Sequence, residues 1–455
     1  MPDDERPDDQ PDNPEDEIRD MLREFLAGNS EIDPSKLASA AGLPNDPAML
    51  AQLMSQLQNA MQSNTDDGID WKPALEQAKG IAARSTVVTL PGERSQLEQA
   101  FHVASLWLAE ATSISELALE PRLISRTEWV TSTMPVWTQL AEPVATSIAN
   151  SLTDALREQA PEEMSGMLDG ATQLMRNVGG TLFAMQLGQV VGQLSSEVVS
   201  GGDIGIPLLV AGGSGDQQAA MIPQNVTAFA SGLDIPIDQV QLYLAVRELA
   251  HARLFRHAKW LRLQFLTSIT EATRGTRIDA DKLENLAAEF DPSNPESLRE
   301  AMTSGELIAP KSDEQLAALA RLETTLALVE GWVDVVTAEA TSRLPMVSAL
   351  SETVRRRRAS GGPAESAFAT LVGLELRPRR LREAAALWQQ LTDAVGADQR
   401  DSLWSHPDLV PTAEDISDPS ALVARLTSGT PVPDDIDQAI EDLLNDDTTD
   451  RPQES

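Results

Sequence analysis

The stretch Tyr243-Leu-Ala-Val-Arg-Glu-Leu-Ala-His-Ala-Arg-Leu-Phe-Arg-His257 reads as one helix, and it constrains the fold more than any other part of the chain. On a helix, residues four apart lie about 40° from each other and residues three apart about 60°. Arg247, Glu248 and His251 therefore share a face. The rest of the chain has to be read for what meets that face.

Arg247-Glu-Leu-Ala-His251 is the pattern H-E-x-x-H with Arg in place of the first His. An H-E-x-x-H helix aims two imidazoles at one zinc and sets the Glu beside them to activate water, with a further ligand from elsewhere. Glu248 and His251 keep the general-base and second-ligand positions. Arg247 holds the first-ligand position, and a protonated guanidinium cannot ligate zinc. A candidate third ligand lies in Glu330-Gly-Trp-Val-Asp334, two carboxylates one turn apart on a later helix. In an E-x-x-x-D arrangement the Glu binds the metal and the Asp orients a ligating His. His257 lies on another side of the helix from His251 and cannot stand in for the missing ligand. A di-iron reading of Glu248-x-x-His251 needs a second such motif, and the chain has none.

Composition narrows the rest. Aromatics are scarce at 4%, and Leu, Ala and Val carry the apolar bulk, which favours helices. There is no Cys, so disulfides, Cys-ligated zinc and a Cys nucleophile are excluded. No Gly-x-Ser-x-Gly elbow supports a serine hydrolase either. The net charge is −36, and about −16 of it sits in residues 1–20 and 431–455. A chain this acidic is repelled by nucleic acid and by anionic membranes, so neither is an expected partner. The Met1-Pro-Asp-Asp start has no basic or apolar leader, which predicts no signal peptide. No apolar run approaches the ~20 residues of a membrane span, and the reading is a cytoplasmic protein.

In chain order, residues 1–16 predict a disordered acidic tail, rich in Pro and Asp. An N-terminal helical region covers 17–90, with amphipathic helices over 17–27 and 47–62 and a third over 71–83. The main domain covers 91–430, with an acidic C-terminal tail at 431–455. Within the domain, helices are predicted over 93–111, 144–156, 164–199, 260–273, 279–290, 314–340, 351–359 and 381–395. Pro135 should break or start a helix between Trp129 and Trp137. Gly188-Gln-Val-Val-Gly192 predicts close backbone approach in a buried helix rather than a membrane span. Ile206-Pro-Leu-Leu-Val-Ala211 and Ala219-Ala-Met-Ile222 flank a Gly-rich turn and predict a β-hairpin. No phosphate-loop signature accompanies those glycines. Arg355 to Arg358 are expected to pair with the chain's own carboxylates.

Several stretches together resemble a bacterial family of zincin-like metallopeptidases, or hydrolases. They are Gly232 to Arg262, Leu326-Ala-Leu-Val-Glu-Gly-Trp-Val-Asp334, Arg355-Arg-Arg-Arg-Ala-Ser-Gly-Gly-Pro363, Leu371-Val-Gly-Leu-Glu-Leu-Arg-Pro378 and Trp404-Ser-His-Pro-Asp408. The chain is similar to the branch with Arg-Glu-x-x-His. The resemblance implies a mainly α fold, with a small antiparallel β-sheet beside the active-site helix and further helices wrapped around both. It implies Glu248 as general base, His251 and Glu330 as zinc ligands and Asp334 as the residue behind them, with Arg247 as the departure. Tyr243, one turn before Arg247, hydrogen-bonds into this group or simply packs.

Two functions stay open. One is a zinc-dependent hydrolase of peptide or protein substrates with an altered metal site. The other is a non-catalytic helical protein that keeps the frame to bind a partner. In the second, Arg247 stands in for the charge of the metal and pairs with Glu330 and Glu248.

Overall fold

Straight-chain and small apolar residues at helical spacing do form helices over most of the described chain. The computed structural model describes residues 69–159, 165–209, 217–274 and 310–428. The tails at 1–16 and 431–455 and the helices expected over 17–27, 47–62 and 279–290 lie outside the described residues. The chain divides into two units. One comprises residues 1–70, 148–183 and 277–309, and the other 71–147, 184–276 and 310–455. The candidate site lies wholly in the second.

In chain order the helices begin with α1 (Lys72–Arg84), α2 (Pro91–Ala111), α3 (Arg126–Gln159) and α4 (Ser165–Glu197). There follow α5 (Pro223–Ser231), α6 (Ile237–His257), α7 (Trp260–Thr273) and α8 (Asp313–Ala340). The series ends with α9 (Val347–Ser360), α10 (Pro363–Val372), α11 (Leu381–Ser402), α12 (Ala413–Ser417) and α13 (Pro419–Ser428). α3 runs through both Pro135 and Pro143. The expected break is absent because packing outweighs the lost hydrogen bonds: Trp129 and Trp137 on either side of Pro135 are fully buried. Trp137 meets Phe368 edge-on at 4.9 Å. The small residues of α4 do what their spacing predicts. A Cβ on Gly188 would run into the carbonyl of Ala74, so α4 and α1 meet main chain to main chain.

The sheet differs from expectation. Its two strands, β1 (Arg122–Leu123) and β2 (Ala220–Met221), pair in parallel, so the predicted antiparallel sheet is incorrect. Among the described residues, an antiparallel contact is given by the isolated bridge between Ser200 and Met221. The turn of the predicted hairpin and the end of its first arm, residues 210–216, lie outside the described residues. Ile206, Leu208 and Leu209 are buried without strand pairing, and a bond from the Gln218 amide to the Leu209 carbonyl (3.4 Å) links the two arms. β2 lies between β1 on one side and the main chain of 199–201 on the other. Its partner comes from almost 100 residues earlier, which no local pattern signals.

α6 sits at the centre of this unit. It packs against α2, α8, α5, α9 and β2, and nearly every residue from Val240 to Phe255 is buried. Its N-cap is Pro236 with no side-chain cap. α8 packs on α6, α7 and α11, and its Glu330 to Val336 are all buried. Trp388 on α11 donates to the Leu328 carbonyl (2.9 Å) and stacks on Trp404, which in turn stacks on Trp260. Among the described residues, no helix is long and apolar enough to cross a membrane.

Candidate functional site

From α6, Arg247 (4% exposed), Glu248 (1%) and His251 (1%) enter the core on the side that faces α8. α8 adds Glu330 at 0% and Asp334 at 1%. Unpaired charges at such depth would unfold the domain, so each needs a partner.

Glu248 finds its partners in main chain. Oε1 accepts the Ala220 amide at 2.8 Å and Oε2 the Gly202 amide at 2.8 Å. Ser200 contributes its side chain to the same carboxylate. Burial pushes the carboxyl up to about 7, against these donors. The residue that the motif offers as general base thus clamps β2 to the Ser200-Gly-Gly-Asp-Ile-Gly205 loop. It does not pair with Arg247, which corrects one half of the expected ion cluster.

Glu330 holds the other half. Arg247 Nη2 donates to Oε2 in a short, charge-assisted bond. His251 Nε2 lies 3.3 Å from Oε1, and Arg358 Nε lies 3.4 Å from the same oxygen. Burial alone would raise the Glu330 pKa, but Arg247, Arg358 and His251 together hold it well below the usual carboxylate range. His251 Nδ1 is 3.2 Å from the Arg247 carbonyl, so each ring nitrogen faces an acceptor. Burial lowers the His251 pKa, with Glu330 opposing and the two arginines reinforcing it. Burial also works against the charged form of Arg247, yet Glu330 and the other nearby acids keep its pKa above the ordinary value.

A ring of further pairs surrounds this centre. Arg355 donates Nε and Nη2 to Asp334 Oδ2 at 2.8 and 2.7 Å, and the Ser351 hydroxyl reaches Oδ1 at 3.4 Å. Asp334 is thus held by arginine, not spent on orienting His251. Arg357 binds Asp203 at 2.7 Å, and Asp203 also accepts the Val199 amide at 2.9 Å. Burial opposes the charge on Asp203, but Arg357, Arg358 and that amide lower its pKa. Arg358 donates to the Ile204 carbonyl at 2.8 Å and lies 3.6 Å from Glu365. Tyr243 is fully buried, and burial with Asp334 nearby pushes its phenol up to about 12. It remains a neutral packing group.

The structure therefore brings together Arg247, His251 and Glu330, places Glu248 and Asp334 around them with partners of their own, and packs Tyr243 beside them. Sequence reasoning missed the loop of residues 200–205 with its Asp203, and expected of Arg358 only that it pairs with a carboxylate of the chain, which it does with Glu330. The loop had one signal, the spacing Gly201-Gly202-x-x-Gly205. A Cβ on Gly202 would sit 2.7 Å from His251 Cβ, and one on Gly205 (φ +80°) would sit 2.5 Å from Glu330 Oε1. Only a glycine main chain can lie this close to the two side chains.

The residues do not fit a zinc ion. The direct donors are His251 Nε2 and Glu330, which face each other with the Arg247 cation beside them. Both oxygens of Glu248 are spent on amides. The glycine loop presses its main chain against Glu330 and His251. Among the described residues, no three His, Cys, Asp or Glu side chains are grouped to hold a metal.

A family model described as zincin-like metallopeptidase matches residues 69–423. No curated protein matches the chain in sequence. Among solved structures, the chain is similar to the crystal structure of a candidate hydrolase with a novel fold from Chloroflexus aurantiacus. The two share 18% identity with a TM-score of 0.53, over 80% of this chain and 100% of that one. At that identity the likeness speaks for the fold.

Proposed function

The chain belongs to the zincin-like metallopeptidase family, and from that membership we propose that it keeps the family's frame as a binding scaffold for a peptide or protein partner, with the metal's place taken by an arginine. The observation that carries this reading is the Arg247 guanidinium on the Glu330 carboxylate. It supplies the positive charge that a divalent cation would bring, without an open coordination position and without a route to a metal-bound water. The clamped Glu248 supports the same reading, because its buried carboxylate anchors two main-chain amides and the Ser200 side chain, a structural use of the group.

The test is metal content and hydrolysis on the full chain, with Arg247→His beside the wild type. Wild-type protein purified without chelators is expected to carry far less than one zinc per chain and to leave peptide mixtures uncut. Arg247→His removes the cation and adds a donor next to His251 and Glu330, so it should bind zinc more tightly than the wild type. Stoichiometric zinc in the wild type, together with hydrolysis that chelation abolishes, would overturn the proposal.

A further inference from the structure

The C-terminal end of α6 carries a second concentration of charge, on a different side of the helix from Glu330. Arg253 lies two positions beyond His251, about 200° further round the helix. There a cavity of about 280 Å³ is lined by Ile114, Ser115, Arg253, Arg256, His257 and Lys259. Four of the six are basic and none is acidic, in a chain with 71 acids against 35 Lys and Arg. A random patch of this surface would have the opposite sign.

Arg253 is the informative member. It is 2% exposed. Nη2 donates to the Ser105 carbonyl at 3.2 Å and to its hydroxyl at 3.0 Å, and reaches Glu116 at 3.3 Å, while Nε has no partner. That Glu116 side chain is 61% exposed. Two other buried arginines are matched by carboxylates as deep as themselves, Arg247 by Glu330 and Arg400 by Asp401, while Arg126 is held by Asn225 and Ser85. Arg256 spends one donor on the Glu116 carbonyl, and among the described residues Lys259 forms no ion pair.

Cations at a helix C-terminus offset the exposed carbonyls there, an effect of about 0.3–1 kcal/mol confined to the last turn. That accounts for Arg256 and His257. It does not account for Arg253, which is further in and buried. The charge count is more telling. Arg253, Arg256 and Lys259 carry three positive charges, and Glu116 beside them returns one. The balance of two fits a dianion, and guanidinium forks with an ammonium suit tetrahedral phosphate oxygens.

We propose that this cavity binds a phosphate-bearing small molecule, its dianionic group held by Arg253, Arg256 and Lys259 with the Ser115 hydroxyl as a further donor. The site is separate from the Glu330 cluster and stands whichever way the zinc measurement falls. The test is calorimetric titration of the full chain with inorganic phosphate in a chloride buffer at low ionic strength. Saturable one-site binding is expected, weakened at least about tenfold in Arg256→Ala/Lys259→Ala, a loss of roughly 1.4 kcal/mol. Lys259→Glu changes only an exposed side chain, so it keeps the fold and should abolish binding. Arg262→Ala, outside the cavity, should bind as the wild type does. Absence of saturable binding, or equal binding by Lys259→Glu and wild type, would overturn the assignment.

Discussion

Glu248 accepts main-chain amides on both oxygens, yet burial pushes its carboxyl up to about 7. The folded state therefore holds this proton more tightly than the unfolded chain does, whose glutamates titrate near 4.3. Its contribution to stability is greatest below that value and declines as pH rises through about 7, by up to about 4 kcal/mol. Glu330 has the opposite sign. Its depressed pKa gives stability that is present above about 4.3 and lost as pH falls further. Glu248 should thus lower the urea midpoint between pH 5 and 7.5 while His251, whose pKa burial lowers, raises it over part of the same window, and Glu248→Gln should remove the falling component while lowering stability, since an amide cannot accept both N–H groups. An unchanged slope in the variant would reject this account. At this scale the sequence foretold Arg247 on Glu330, because both are charged, buried by their neighbours and aligned with a motif. It did not foretell the partners of Glu248, because main-chain amides leave no mark in a sequence.

α9 shows how a helix divides what looks like one block of charge. Arg355, Arg356, Arg357 and Arg358 are consecutive, and successive positions turn by about 100°. Arg355 reaches Asp334 and Arg357 reaches Asp203, while Arg358 enters the core beside Glu330. Arg356 points outward, 76% exposed, and pairs with Glu352 one turn back. The two ends of that range give a direct test by urea unfolding. Arg355→Ala strands the buried carboxylate of Asp334 and should cost about 3 kcal/mol. Arg356→Ala removes a surface pair and should change stability by less than about 0.5 kcal/mol. Equal effects would mean that the helix sits in another register. The helices themselves were legible because their periodicity is local. β1 with β2 was not, because two-residue strands are defined by a partner far off in the chain.

Across the whole molecule, the helical class and the meeting of α6 with α8 could be read in advance, while the glycine loop that closes over them could not. Closure of that loop depends on φ at Gly205 and on the main chain of residues 200–205, and composition does not encode either. The Glu330 cluster has a further consequence, for the order in which the chain folds. The partner that Arg247 needs lies 83 residues away, and Arg358 arrives later still. A guanidinium gives up its water at a cost of several kcal/mol until a carboxylate is there to meet it. That dehydration cost predicts that α6 does not settle into an apolar interior ahead of α8 and that the docking of the two sets the pace of folding. Arg247→Met spares that dehydration and should refold faster than the wild type. It should also unfold faster, because Glu330 then faces one arginine fewer. Stopped-flow fluorescence, reading the buried tryptophans, would show both limbs raised, whereas a refolding rate equal to or below the wild type would place the slow step elsewhere.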